Sequence, residues 1–129
     1  MAAEVMDMTA AEVEDEGQRL AGSYLERRGF TLTEPDWKAS DGKRGIVAEG
    51  DDGTVIVFVH TKLDLSGDDT MPELAVTSEM QKGFRTAALQ WAASNPGSTG
   101  VRVDVIAISI VGERTARLRH LIGAYEWAE

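Results

Sequence analysis

Val55-Ile56-Val57-Phe58-Val59-His60-Thr61-Lys62 opens with five consecutive β-branched or aromatic residues and closes on polar ones. Such a run suits a strand buried on both faces at the centre of a sheet. Its polar end is where a strand reaches solvent. Immediately upstream, Gly50-Asp51-Asp52-Gly53 has the composition of a hairpin turn. Before that turn, Arg44 to Glu49 reads as a second strand with Ile46 and Ala48 on one face. Phe30, Leu32 and the Trp37 region suggest a further strand, interrupted by Pro35. Proline has no amide donor, so this strand belongs at an edge or contains a bend.

Moving outward, Val13, Leu20, Ala21, Tyr24 and Leu25 fall at helical spacing between about Ala11 and Arg28, and Gly29 supplies the stop. Downstream of the central run, Leu63 to Glu73 is polar and acidic, with Gly67 and Pro72, and reads as a mobile loop. A second helix is expected from a Thr77 or Ser78 cap to about Ser94, burying Met80, Phe84, Ala87, Ala88 and Trp91, and Asn95-Pro96-Gly97 ends it. Val101 to Ile110 reads as another buried strand, and Arg114 to Trp127 as a short strand followed by a helical turn. The order α-β-β-β-α-β with a β/α tail predicts an α/β fold. A helix between two strands permits a right-handed crossover and a mixed sheet.

A length of 129 residues fits a single domain, expected over residues 11–129 behind a flexible stretch at 1–10. There is no cysteine, so disulfides and thiolate metal sites are excluded, and a cytoplasmic location is the simpler expectation. Neither a signal peptide nor a membrane span is expected. The formal net charge of −9 counts against a generic nucleic-acid binder. The acids concentrate in Glu12, Glu14, Asp15 and Glu16, in Asp51 and Asp52, and in Asp64, Asp68 and Asp69. The bases gather elsewhere, at Arg27 and Arg28, at Lys43 and Arg44, and at Arg114, Arg117 and Arg119, so one basic face is compatible with an acidic whole.

Several stretches, taken in order, carry a family likeness: Gly17-Gln18-Arg19-Leu20-Ala21, Tyr24-Leu25-Glu26-Arg27-Arg28-Gly29-Phe30, Asp36-Trp37-Lys38, Val57 to Lys62, Ala75-Val76-Thr77, Val101 to Ala107, and Leu118 to Ala124. Through them the chain resembles the YraN-type family of small bacterial proteins, related to Holliday-junction resolvases and restriction endonucleases. The resemblance implies a restriction-endonuclease-like core. It also implies a PD-(D/E)xK site in which two acids hold Mg²⁺ or Mn²⁺ and a lysine steadies the attacking water or the developing charge.

Laid along this sequence, that site is degenerate. The helix Glu of the family falls at Gln18, the metal-binding Asp at Gly45 within Gly42-Lys43-Arg44-Gly45, and the second acid at His60. Lys62 keeps the family's lysine, whereas a second lysine, near the start of the second helix, is replaced by Met80. Glycine offers no ligand, and imidazole suits softer metals than Mg²⁺. The expectation is therefore a nuclease fold without catalysis and without a metal cofactor, binding branched or duplex DNA through Lys43, Arg44 and Lys62. One alternative is an active metal-dependent endonuclease, either with relocated acids drawn from Glu49, Asp41, Glu16 or Glu79, or with the literal Pro35-Asp36 followed by His60-Thr61-Lys62 as its motif. The other is a protein-interaction module that does not bind DNA. His120 is expected to be structural, and Trp37 and Trp91 to belong to the core rather than to stack on bases.

Overall fold

The computed structural model describes residues 7–65, 71–98 and 101–123. The chain forms α1 (Ala10–Arg27), β1 (Thr31–Lys38), β2 (Arg44–Gly50), β3 (Gly53–Leu63), a 3-10 turn at Pro72–Ala75, α2 (Ser78–Ser94), β4 (Arg102–Gly112) and β5 (Thr115–Leu121). This is the mixed α/β architecture expected from the sequence: a five-stranded sheet flanked by two helices. The strands lie in chain order, β1-β2-β3-β4-β5. All neighbours are antiparallel except β3 and β4, which run parallel because α2 carries the chain between them.

Local chemistry sets the boundaries. Thr9 and Glu12 close a reciprocal capping box at the start of α1, so the first helical turn reaches into the stretch expected to be flexible. Gly29, at φ 92°, turns the chain from α1 into β1. Thr77 caps α2 through its hydroxyl, which accepts from the Met80 amide at 3.1 Å. Pro35 lies on edge strand β1, and the pairing with β2 shifts register on either side of Glu34. The expected loop is interrupted, since Pro72–Ala75 winds into a 3-10 turn, while residues 66–70 lie outside the described residues. The expected C-terminal helical turn also falls outside them, and the tail that is described is β5.

Each face of the sheet has its own core. Ile46, Ala48, Val55, Val57, Ile106 and Ile108 pack with Val13, Ala21 and Leu25 of α1. Val47, Ile56, Phe58, Val103, Val105 and Ala107 pack with Phe84, Ala87 and Ala88 of α2. Ile46, Phe58 and Leu25 are completely buried, each worth about 1.5–3 kcal/mol in apolar transfer. β2 is thus buried on both faces, not only on the Ile46–Ala48 side. At Gly17 the helix approaches the sheet closely: a Cβ there would collide with the Thr61 side chain, so the glycine lets α1 lie down on β3.

Candidate functional site

At the end of β3, two adjoining depressions of about 490 and 290 Å³ share Glu14, Val59 and His60 as walls. Lys62 and Thr61 line the first, and Asp41, Lys43, Arg44 and Met80 the second. His60 projects from β3 and Glu14 from the first turns of α1. The fold therefore brings His60, Lys62, Lys43, Arg44 and Met80 to one strand end. It leaves Gln18 just beneath, as part of the wall between α1 and the sheet.

Gln18 is buried, and its amide nitrogen donates to the Gly45 carbonyl at 2.6 Å and to the Pro35 carbonyl at 3.0 Å. One side chain thus ties α1 to both β1 and β2. A glutamate here would place a carboxylate against two carbonyl oxygens, with nothing to donate. Gly45 pairs with Phe58, and a Cβ on it would meet the Val57 carbonyl oxygen at 2.5 Å and the Trp37 ring at 3.2 Å. The place where a carboxylate stem would leave β2 is already taken up by neighbouring backbone.

The cations of the cleft have acid partners. Arg44 donates to Asp15 of α1 at 2.7 Å and to Asp36 of β1 at 2.9 Å, with its side chain only 16% exposed. It is a strut between three elements. The Lys43 ammonium lies 2.9 Å from Asp41, and its stem lies against Gly83 of α2, where a Cβ would touch it. Lys62 stands 3.7 Å from Asp64. The His60 imidazole is held below its ordinary pKa, first by burial and then by the Lys62 charge, with Glu14 pulling the other way. Its neutral form is thereby favoured.

The relocated-acid candidates are scattered. Glu16 pairs with Arg19 at the helix surface, Glu49 accepts from Thr54 beside the β2–β3 hairpin, and Asp36 is engaged by Arg44. Asp41 alone of that group lines the cleft. Glu14, the other acid in its wall, was not singled out in the sequence. Its position four residues before Gln18, hence on the same helical face, was the available signal. Among the described residues, no three His, Asp or Glu side chains gather as a metal-ligand set. A hard divalent cation needs several oxygen donors, and the residues present do not fit one.

The other buried polar cluster lies on the α1 face, away from this cleft. Asp104 is fully buried and accepts from Arg102 through both oxygens at 2.9 and 3.0 Å, and from the Gly123 amide at 2.8 Å. His120 Nε2 sits 2.8 Å from the same carboxylate, and its Nδ1 lies 3.1 Å from the Tyr24 hydroxyl. Burial alone would raise the Asp104 pKa, but the His120 and Arg102 hydrogen bonds and the Gly123 amide bring it below the usual value. His120 is accordingly a structural link between β5 and α1.

No helix among the described residues is long and apolar enough to cross a membrane. The profile of uncharacterised protein family UPF0102 matches residues 17–108. A UPF0102 protein of Geobacter metallireducens is 38% identical over 113 residues, covering 87% of this chain and 90% of that protein. One from Geobacter sulfurreducens is 36% identical over 114 residues, 87% of each chain. One from Beutenbergia cavernae is 35% identical over 108 residues, 83% of this chain and 90% of its own. Together with the YraN-type stretches along α1, β3 and β4, these matches make the chain a member of the UPF0102 family.

Proposed function

We propose that this chain is a binding domain on a nuclease-type scaffold, holding branched or duplex DNA at the His60–Lys62 strand end without metal-dependent cleavage. The reading rests chiefly on one observation: at the two positions where the scaffold would carry its metal acids stand Gly45, sealed by neighbouring backbone, and a half-buried His60. Lys62 is the cation of the cleft held most loosely, since its acid partner is at 3.7 Å, and it is the natural phosphate contact. Arg44 serves mainly as a strut, so Lys62 and then Lys43 carry the binding in this proposal.

The test is anisotropy of labelled four-way-junction and duplex DNA over a salt series with Mn²⁺ present, the same samples being run on a gel. Saturable binding that weakens with salt and with Lys62→Glu, on intact DNA, is the expected outcome. Cut DNA would overturn the non-cleaving reading. A second reading, a protein-interaction module, is favoured by the ion pairs that occupy Lys43 and Arg44 within a chain of net charge −9. Absence of DNA binding at low salt would select it.

A further inference from the structure

We infer that a second contact lies on the rim between β1 and α2: a stacking site for an unpaired nucleobase, built from Trp37 and Trp91 with Lys38 beside them for the phosphate. The ligand class rests on the proposed nucleic-acid reading, but the site shares no wall with the His60 cleft. Trp37, Lys38, Ser40, Gln90 and Trp91 line a depression of about 230 Å³. That is below the roughly 300–1,000 Å³ of drug-sized pockets and suits one planar ring system, not a duplex.

Both indoles are half-buried and held from behind. Trp37 meets Phe58 of the core edge-on, with centroids 5.6 Å apart. The Trp91 ring nitrogen donates to Glu34 of β1 at 3.1 Å. Rings fixed before binding lose little conformational freedom when a base stacks on them. Ser40 donates to the Gln90 carbonyl oxygen at 3.0 Å, which leaves the Gln90 amide donors for a base edge. Lys38 is exposed and, unlike Lys43, Arg44 and Lys62, forms no ion pair among the described residues. Aromatic faces next to an uncommitted cation are the combination that grips single strands, because every unpaired base offers a π-face and every phosphate a charge. Bases inside a duplex have theirs covered.

The experiment uses the full chain and labelled oligo(dT), with a blunt duplex as comparison. Trp91→Leu should weaken oligo(dT) binding about fivefold or more, with Trp91→Phe retaining most of it, as base stacking is worth on the order of 1–3 kcal/mol. Lys38→Glu should weaken it as well and flatten the salt dependence. Blunt-duplex affinity should not respond to Trp91→Leu. Circular dichroism and urea unfolding establish that each variant is folded. Oligo(dT) affinity unchanged in folded Trp91→Leu overturns the stacking site, whatever Lys62→Glu does. Loss in Trp91→Leu with no effect of Lys62→Glu on either DNA would uphold this site and sink the cleft reading instead.

Discussion

Asp104 interrupts an apolar run and His60 ends one, on adjacent central strands, and their surroundings differ in kind. Asp104 has no exposure and four donor contacts, drawn from β4, β5 and the chain just beyond. His60 stands in an open wall among ion pairs that are mostly exposed on one side. A buried carboxylate survives only when its lone pairs are filled, and the fold has filled them at Asp104. Beside His60, on β2, the Val57 carbonyl and the Trp37 ring crowd Gly45, and the Gln18 amide binds its carbonyl. The densest buried polar contacts among the described residues hold β5 to β4 and α1, and the strand end at His60 has nothing comparable.

The sharpest way to break that contrast is Asp104→Ala. It leaves Arg102, His120 and the Gly123 amide without their acceptor, and a loss of about 3–5 kcal/mol in urea unfolding is expected. A loss near zero would mean the cluster is ornamental. The depressed Asp104 pKa adds a sign: its contribution is fully present above the ordinary carboxylate range and disappears as pH falls through the lower, folded-state value. That acid limb should vanish in the variant.

Next in size is the placing of acids at the positions proposed for metal ligands. Gln18→Glu puts a buried charge against the Gly45 and Pro35 carbonyls, costing about 1–3 kcal/mol. Gly45→Asp forces a Cβ onto the Val57 carbonyl, with an overpacking cost of roughly 1–3 kcal/mol. The triple variant with His60→Glu should be poorly stable and still leave junction DNA uncut in Mn²⁺. Cleavage there would show that the site lacks only its acids.

Smaller effects sharpen the picture of the cleft. Arg44→Ala should cost about 1 kcal/mol, because Asp15 and Asp36 are largely exposed and water screens them. Raising salt should shrink that difference. The smallest effect concerns His60. Its folded pKa is depressed, so the unfolded chain binds more protons between that value and about 6.5. Stability should rise with pH across that window, and His60→Gln should flatten the slope.

Much of this was legible in the sequence because it depends on short-range pattern. Pro35 announced the edge strand with its disrupted register, Gly29 and Thr77 the helix limits, and Val55 to Val59 the sheet centre. Gln18 and Gly45 are direct neighbours, joined by a side-chain to backbone hydrogen bond that no local pattern announces. What stayed hidden depends on distant partners. Asp104 looks like an ordinary interruption in Val103–Val105 until β5 brings His120 to it from sixteen residues away. Arg44 reads as a free cation until α1 and β1 supply Asp15 and Asp36. Glu14 was passed over because four acids crowd the start of α1 and only the helix phase selects among them.

The sheet order has a consequence in time. Each strand after the first pairs with the one made immediately before it, so during synthesis every new strand finds its first partner already translated. β1, β2 and β3 can zip as a meander by closing short turns, where loop entropy is small. Only the β3–β4 pairing demands a long closure, and α2 shortens it by folding within the span. Growth therefore adds to one open edge at a time, in the order in which the ribosome delivers the chain.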